Sequence, residues 1–155
     1  MVDVQTPNLN LKEKKEYRLE LYNVNLHGAN FQNCNFDHAD FTECILAYTK
    51  CQSASFRYSV FVSAIFYRAS DLKTAKFRFS AAIKPIFAGT NMSLENLNFM
   101  FCDATTEIPE SYERPTHWPK AKLRRKEFFD EYEKWRDNSA GYTPPKLPNQ
   151  PPKHK

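Results

Sequence analysis

Four cysteines, four histidines and a short acidic run are the residues of this chain whose chemistry could go beyond packing. Cys34, Cys44, Cys51 and Cys102 could pair as disulfides or, joined by histidine, hold a metal. Both outcomes need particular spacings. No Cys-x-x-Cys occurs and no histidine keeps step with the cysteines, so the pattern of a metal site is absent. His27, His38, His117 and His154 are scattered along the chain. Asp37, Asp40 and Glu43 make a small acidic cluster, but acid/base catalysis requires convergent groups in a cleft, and a solvated face explains three nearby acids more simply. There is no Gly-x-Ser-x-Gly, no phosphate-cradling glycine-rich loop and no His-Glu-x-x-His. The sequence therefore reads as non-enzymatic and without a cofactor.

The element that carries these residues is a repeat. Positions 26, 31, 36, 41, 46, 51, 56, 61 and 66 hold Leu, Phe, Phe, Phe, Leu, Cys, Phe, Phe and Phe. Two places before each stands Val24, Ala29, Cys34, Ala39, Cys44, Thr49, Ala54, Ser59 or Ala64. Neither a helical period of 3.6 nor a strand period of 2 keeps such a series on one side. A chain that turns a corner every five residues does. Four units then make one square turn of about twenty residues, stacked on the next at about 4.8 Å. The large and small residues both point inward, since so narrow an axis has no room for two bulky layers. The phase slips once, because Phe66 is followed by Leu72 and then by Phe77, Ala82, Phe87, Met92, Leu97 and Cys102. One extra residue, a bulge, is expected within residues 67–71.

Ala29-Asn30-Phe31, Cys34-Asn35-Phe36, Ala39-Asp40-Phe41, Ala54-Ser55-Phe56, Ala64-Ile65-Phe66, Ala75-Lys76-Phe77, Thr90-Asn91-Met92 and Glu95-Asn96-Leu97 repeat one pattern. It resembles the pentapeptide-repeat family, whose units follow Ala-Asp/Asn-Leu/Phe-x-x. The resemblance implies an all-β solenoid, a right-handed quadrilateral β-helix of about four turns and on the order of 20 Å tall, followed here by a C-terminal α-helix and an extended Pro-rich tail. The expected organisation is an N-terminal arm or cap at 1–20, the β-helix at 21–106, an exit loop and amphipathic helix at 107–138 and the tail at 139–155.

At 155 residues with 15% aromatics, 13 of them Phe, one small domain with tails is expected. Only three glycines are present, so ordinary residues must turn most corners. No apolar run is long enough to cross a bilayer and no secretory leader opens the sequence, so a cytoplasmic protein is the expectation, with an organellar location left open. In the repeat register Cys34 and Cys44 take the small inward site and Cys51 and Cys102 the large one, so all four are expected to be buried thiols. Cys34 and Cys44, ten residues apart, fall on opposite sides of one turn, too far apart for a disulfide.

The outward positions distinguish the faces. The face centred on Phe31, Cys51, Leu72 and Met92 presents Asn, Gln, Lys and Ser, an ordinary wet surface. The face centred on Leu26, Leu46, Phe66 and Phe87 presents Ile45, Ile65 and Ile86 in one column, with Tyr48 and Tyr67 beside them. Its neighbour presents Val60, Val62, Ala81, Ile83 and Phe101, and a corner column of Tyr58, Phe79 and Phe99 adjoins it. Apolar patches of that width need covering, by the chain's own tail or by a partner. Protein contacts are thus expected at Ile45, Tyr48, Tyr58, Val60, Val62, Ile65, Tyr67, Phe79, Ile83, Ile86, Phe99 and Phe101.

After Cys102 the chain runs through an irregular exit to Pro115, Trp118 and Pro119. Pro119 suits the first turn of a helix reaching about Asn138, with Ala121, Phe128, Tyr132 and Trp135 as its apolar stripe. The basic residues of 120–126 sit at the positive end of such a helix and Asp130, Glu131 and Glu133 nearer the negative end, so docking must stabilise it. Capping of the open end of the coil is the expected role. Residues 141–155 are a polyproline-type segment, in which Pro145 and Pro148 satisfy Pro-x-x-Pro. It reads as a flexible end or as an arm laid along a partner.

Charge bears on function. The family's best-known activity is imitation of duplex DNA by an acidic tower that binds DNA gyrase. Residues 24–102 carry seven Lys/Arg against five Asp/Glu, a net of +2, the wrong sign for a phosphate mimic. A net charge of +4 over the chain also lacks the clustered basic footprint of a nucleic-acid binder. The sequence reads as a non-catalytic interaction or structural subunit that meets other proteins, a large assembly or its own copies through a rigid wall. The alternatives are a regulator of a DNA-handling enzyme such as gyrase and a secreted host-interaction effector.

Overall fold

The computed structural model describes residues 19–68, 72–108 and 110–146. The expected arm at 1–20, except for its last two residues, and the tail beyond 146, including Pro148, lie outside them. The backbone passes over itself at a fixed interval. Parallel bridges join Glu20 to Asp40 to Val60, Asn25 to Ile45 to Ile65 to Ile86, Asn30 to Lys50, and Asn35 to Ser55 to Lys76. These are four series spaced five residues apart. Corners this frequent leave room for about one paired residue per side, so most pairings stay single bridges.

Only one series widens into a sheet. Strands β1 (Val60–Val62), β2 (Ser80–Ile83) and β3 (Met100–Phe101) form a parallel three-stranded sheet in that order. Asp40 pairs with Val60, but Val60 pairs with Ala81 and Ile65 with Ile86. The interval therefore grows by one residue and returns to twenty where Ser80 meets Met100. The slip expected after Phe66 is visible through this register, although residues 69–71 themselves are outside the description.

Each position of the five-residue unit has a physical reason. The large inward residues stack ring on ring: Phe36 on Phe56 at 5.6 Å, Phe56 on Phe77 at 5.2 Å, Phe41 on Phe61 at 5.3 Å and Phe66 on Phe87 at 5.4 Å. Those distances follow the spacing of hydrogen-bonded rows. Where the small inward site is polar it is satisfied, with Thr49, Ser59, Ser80 and Thr90 hydroxyls donating to the carbonyls of Leu46, Phe36, Phe77 and Phe87. Asn or Asp before the large residue works as a local acceptor. The side chains of Asn25, Asn30, Asn35 and Asp40 take the backbone N–H two residues on, at 2.9 to 3.0 Å.

The corner stands two residues after the large position and is left-handed. Eleven non-glycine residues, among them Tyr48, Tyr58 and Phe79, have φ between 50° and 66° there, together with Gly28 and Gly89. Each such L-residue costs roughly 1–2 kcal/mol. The row-to-row hydrogen bonds and the inward packing hold them in place.

The last row departs from the expected coil. Ser93 caps a short helix, α1 (Leu94–Asn98), by accepting from the Asn96 N–H. Leu97 still points inward although its unit is helical. Met100, fully buried, stands two before Cys102, a place that small residues hold in the earlier rows. All four cysteines are buried thiols. Burial raises the Cys44 pKa and pushes that of Cys102 up to about 12.

Phe56 is fully buried between Phe36 and Phe77, so Phe56→Ala should lower stability by about 3–5 kcal/mol in urea unfolding. A loss below about 1 kcal/mol would place the ring outside the core.

Candidate protein-interaction surface

The C-terminal helix, α2, spans Arg125–Asp137, so its expected start at Pro119 and the assignment of Ala121 to its stripe are corrected. The cause is a latch. Asp103, fully buried, accepts the Leu123 N–H through Oδ2 at 3.0 Å while its other oxygen holds Thr105. This keeps the chain extended up to Arg124. The charge argument changes only in part with the start. Lys120 and Lys122 fall before the helix, but Arg125 and Lys126 stay in its first turn beside Glu127, and Asp137 shares the last turn with Lys134 and Arg136, so both ends carry mixed charge and the helix still depends on docking. Arg124 pairs with Glu127 and Lys126 with Asp130 at 2.7 Å. All four side chains are largely exposed, and such pairs contribute little.

The helix does not close the end of the stack. Phe128, Tyr132 and Trp135 bury themselves against Ala81, Ile83 and Phe101, with Val62 and Phe79 at the margin. The Tyr132 hydroxyl donates to the Phe79 carbonyl at 2.6 Å. Phe101 sits among Phe128, Trp135 and Tyr142 at 5.2, 5.5 and 5.8 Å. The helix covers the sheet face from the side, because its stripe matches the apolar column that β1, β2 and β3 present.

The end is closed by the loop before the helix. Along one column the carbonyls of Ala39 and Ser59 accept from Val60 and Ala81 of the next row. Met100 is the corresponding carbonyl of the last row, with no further row among the described residues to serve it. It accepts instead from Trp118 Nε1 at 2.9 Å and lies 2.7 Å from His117 Nε2. Arg114 donates to the Asp103 and Thr106 carbonyls, and Tyr112 to that of Met92. A mixed aromatic and basic loop thus replaces the missing strand donors. The sequence signal was the Trp118 and His117 pair just past the last repeat.

The expected contact residues therefore divide. Val60, Ile83 and Phe101 are buried, and Val62 and Phe79 partly covered. Phe128, Tyr132 and Trp135 are the helix residues that cover this face, and Pro145 lies beside α2 near Glu131, Lys134 and Asn138. The neighbouring face stays open. Ile45 is 37% and Ile86 44% exposed, with Tyr48 and Tyr67 exposed next to them and Ile65 half-buried. Tyr48 meets His27 at 5.2 Å and Tyr67 at 5.8 Å. Tyr58 and Phe99 are exposed at the other corner. Among the described residues no three His, Cys, Asp or Glu come together as metal ligands. No helix among them is long and apolar enough to cross a membrane.

A family model described as pentapeptide repeats, in eight copies, matches residues 20–50, the first rows of the stack. The chain carries pentapeptide repeats. No curated protein matches it. The pentapeptide repeats point to an interaction or structural role.

His117 lies flat on Trp135, 4.9 Å between ring centres. Burial lowers its pKa below the usual 6.5, opposed by the Met100 contact. A depressed pKa means that folding favours the neutral ring. Its contribution is present above about pH 6.5 and lost as pH falls through the lower folded value. Melting curves at about pH 7.5 and about pH 5.5 should show a larger acid loss in wild type than in His117→Gln. Equal losses would remove His117 from the account.

Proposed function

We propose that this protein is a non-catalytic docking subunit built on a right-handed quadrilateral β-helix of about four turns, spanning 21–106. It is flanked by an N-terminal arm at 1–20, an exit loop and helix at 107–138 and a Pro-rich tail at 139–155. Four bridge series, one interval near twenty and a left-handed corner every five residues support this architecture. The observation that carries the function is the uncovered column of Ile45, Ile65 and Ile86. They bridge one another in register across three rows, belong to no core column, and lie beside a face that the chain covers with its own helix. Two adjacent apolar faces and one covering helix leave one face for a partner protein. The net charge of +2 over residues 24–102 weighs against duplex mimicry and so against a gyrase-directed role.

Ile65→Asp should keep the circular dichroism and melting curve of the wild type while abolishing association, since an unpaired carboxylate buried in an interface costs several kcal/mol. Size-exclusion chromatography and pull-down of wild type beside the variant read this out. Unchanged assembly together with unchanged stability would contradict the docking role.

A further inference from the structure

The described chain leaves α2 from an anchored residue. Tyr142 packs against Phe101 at 5.8 Å, and its hydroxyl donates to Glu131 Oε2 at 2.8 Å. Directly after it stands Thr143-Pro144-Pro145-Lys146. Thr143, Pro145 and Lys146 are exposed. Among the described residues no hydrogen bond or ion pair holds Thr143 or Lys146. Pro144 has no N–H and keeps the residue before it out of the helical region, so the Thr143 hydroxyl is offered from an extended stretch rather than from a helix.

A threonine followed by proline, with a cation three places after the hydroxyl, is the pattern that proline-directed protein kinases read. Such an enzyme takes its substrate extended, seats a residue with no N–H to satisfy, and uses charge further along to choose. The sequence holds two Thr-Pro steps, and they differ at the third place, which is Leu9 after Thr6-Pro7 and Lys146 after Thr143-Pro144. Neither the docking wall nor the apolar stripe of α2 uses this stretch.

The surroundings of Thr143 decide what a phosphate there would do. A concavity of about 360 Å³ is lined by Thr143 together with Glu131, Lys134, Asn138 and Tyr142. The Glu131 side chain is only 16% exposed, and its oxygens are engaged by Tyr142 and by Lys134 Nζ at 2.6 Å. Lys134 is the one cation among the residues lining the concavity. A phosphate brings roughly −1.5 to −2 charges at neutral pH, and beside a carboxylate and the carbonyl end of a helix it is repelled. One ammonium cannot balance both anions. Thr143 is the covalent neighbour of Tyr142, so a phosphate driven out of the concavity pulls Tyr142 from Glu131.

We propose that Thr143 is a phosphorylation site for a proline-directed protein kinase, and that the phosphate releases Tyr142 from Glu131. The kinase transfers the γ-phosphoryl group of ATP to Thr143 Oγ1. The Oγ1–H bond breaks and its proton leaves, the Oγ1–P bond forms, and ADP departs with the electron pair of the broken P–O bond.

The full chain is incubated with a recombinant cyclin-dependent kinase and Mg·ATP, and intact mass with peptide mapping counts and places the phosphate. One phosphate on Thr143 is the expected result. Thr143→Val, a change at an exposed side chain, should keep the wild-type melting curve and take no phosphate at that position. Pro144→Ala should slow the initial rate at least about tenfold, the scale of one lost recognition contact, and Lys146→Gln should slow it as well. In the phosphorylated chain the Gly141 amide, which donates to the Asn138 carbonyl, should exchange at least about tenfold faster than in the unmodified chain. No phosphate on Thr143, or a rate indifferent to either substitution, overturns the site. Unchanged Gly141 exchange in a fully phosphorylated chain overturns the release of Tyr142. Ile65→Asp should be phosphorylated like the wild type, which separates a failure here from a failure of the docking wall.

Discussion

The row spacing set by backbone hydrogen bonds is the constraint on which the rest depends. Once Leu46 donates to the Ile65 carbonyl and Phe66 to that of Ile86, at 2.7 and 2.8 Å, every inward ring must meet the ring one row away at about 5 Å. Phenyl rings stacked flat fill that distance, which is why Phe dominates the inward columns. The five-residue period of the sequence sets the corners, each two residues after a large inward position. The left-handed conformations of Tyr48, Tyr58 and Phe79 are tolerated because both neighbouring rows fix the backbone around them.

A stack built this way has flat sides and two open ends, and both features shape its surroundings. At the far end a carbonyl with no following row among the described residues, that of Met100, is served by Trp118 and His117. On the sides, residues that face outward stack in columns of like kind, so a change of residue type sets the character of a whole wall. The column through Ala81 and Phe101 takes α2. The column through Ile45, Ile65 and Ile86 remains open beside it. The Asp103 latch to Leu123 directs the chain away from the end and onto the first of these walls.

The inward columns were legible because large and small residues at fixed offsets leave a direct imprint, and the single slip was legible from the six-residue step between Phe66 and Leu72. Helix α1 was not. Glu95-Asn96-Leu97 satisfies the repeat pattern, and only the Ser93 cap, a local competitor of the same segment, turns it helical. The start of α2 was hidden for a similar reason, since Pro119 is a sound first-turn residue and the Asp103 latch that overrides it is a tertiary contact. Both apolar walls were visible, but their residue types alone could not say which one the tail would cover. That choice follows from where Asp103 holds the chain.

The central claim is that the rows form one cooperative ladder, and amide hydrogen exchange tests it most directly. The Leu26, Leu46 and Phe66 amides donate from row to row, whereas the exposed His27 amide bonds, among the described residues, to the side chain of Asn25. The account predicts that the first three are protected together, near the stability of the whole domain, and that His27 exchanges much faster. Exchange of Leu46 and Phe66 as fast as that of His27 would contradict the ladder and everything argued from it.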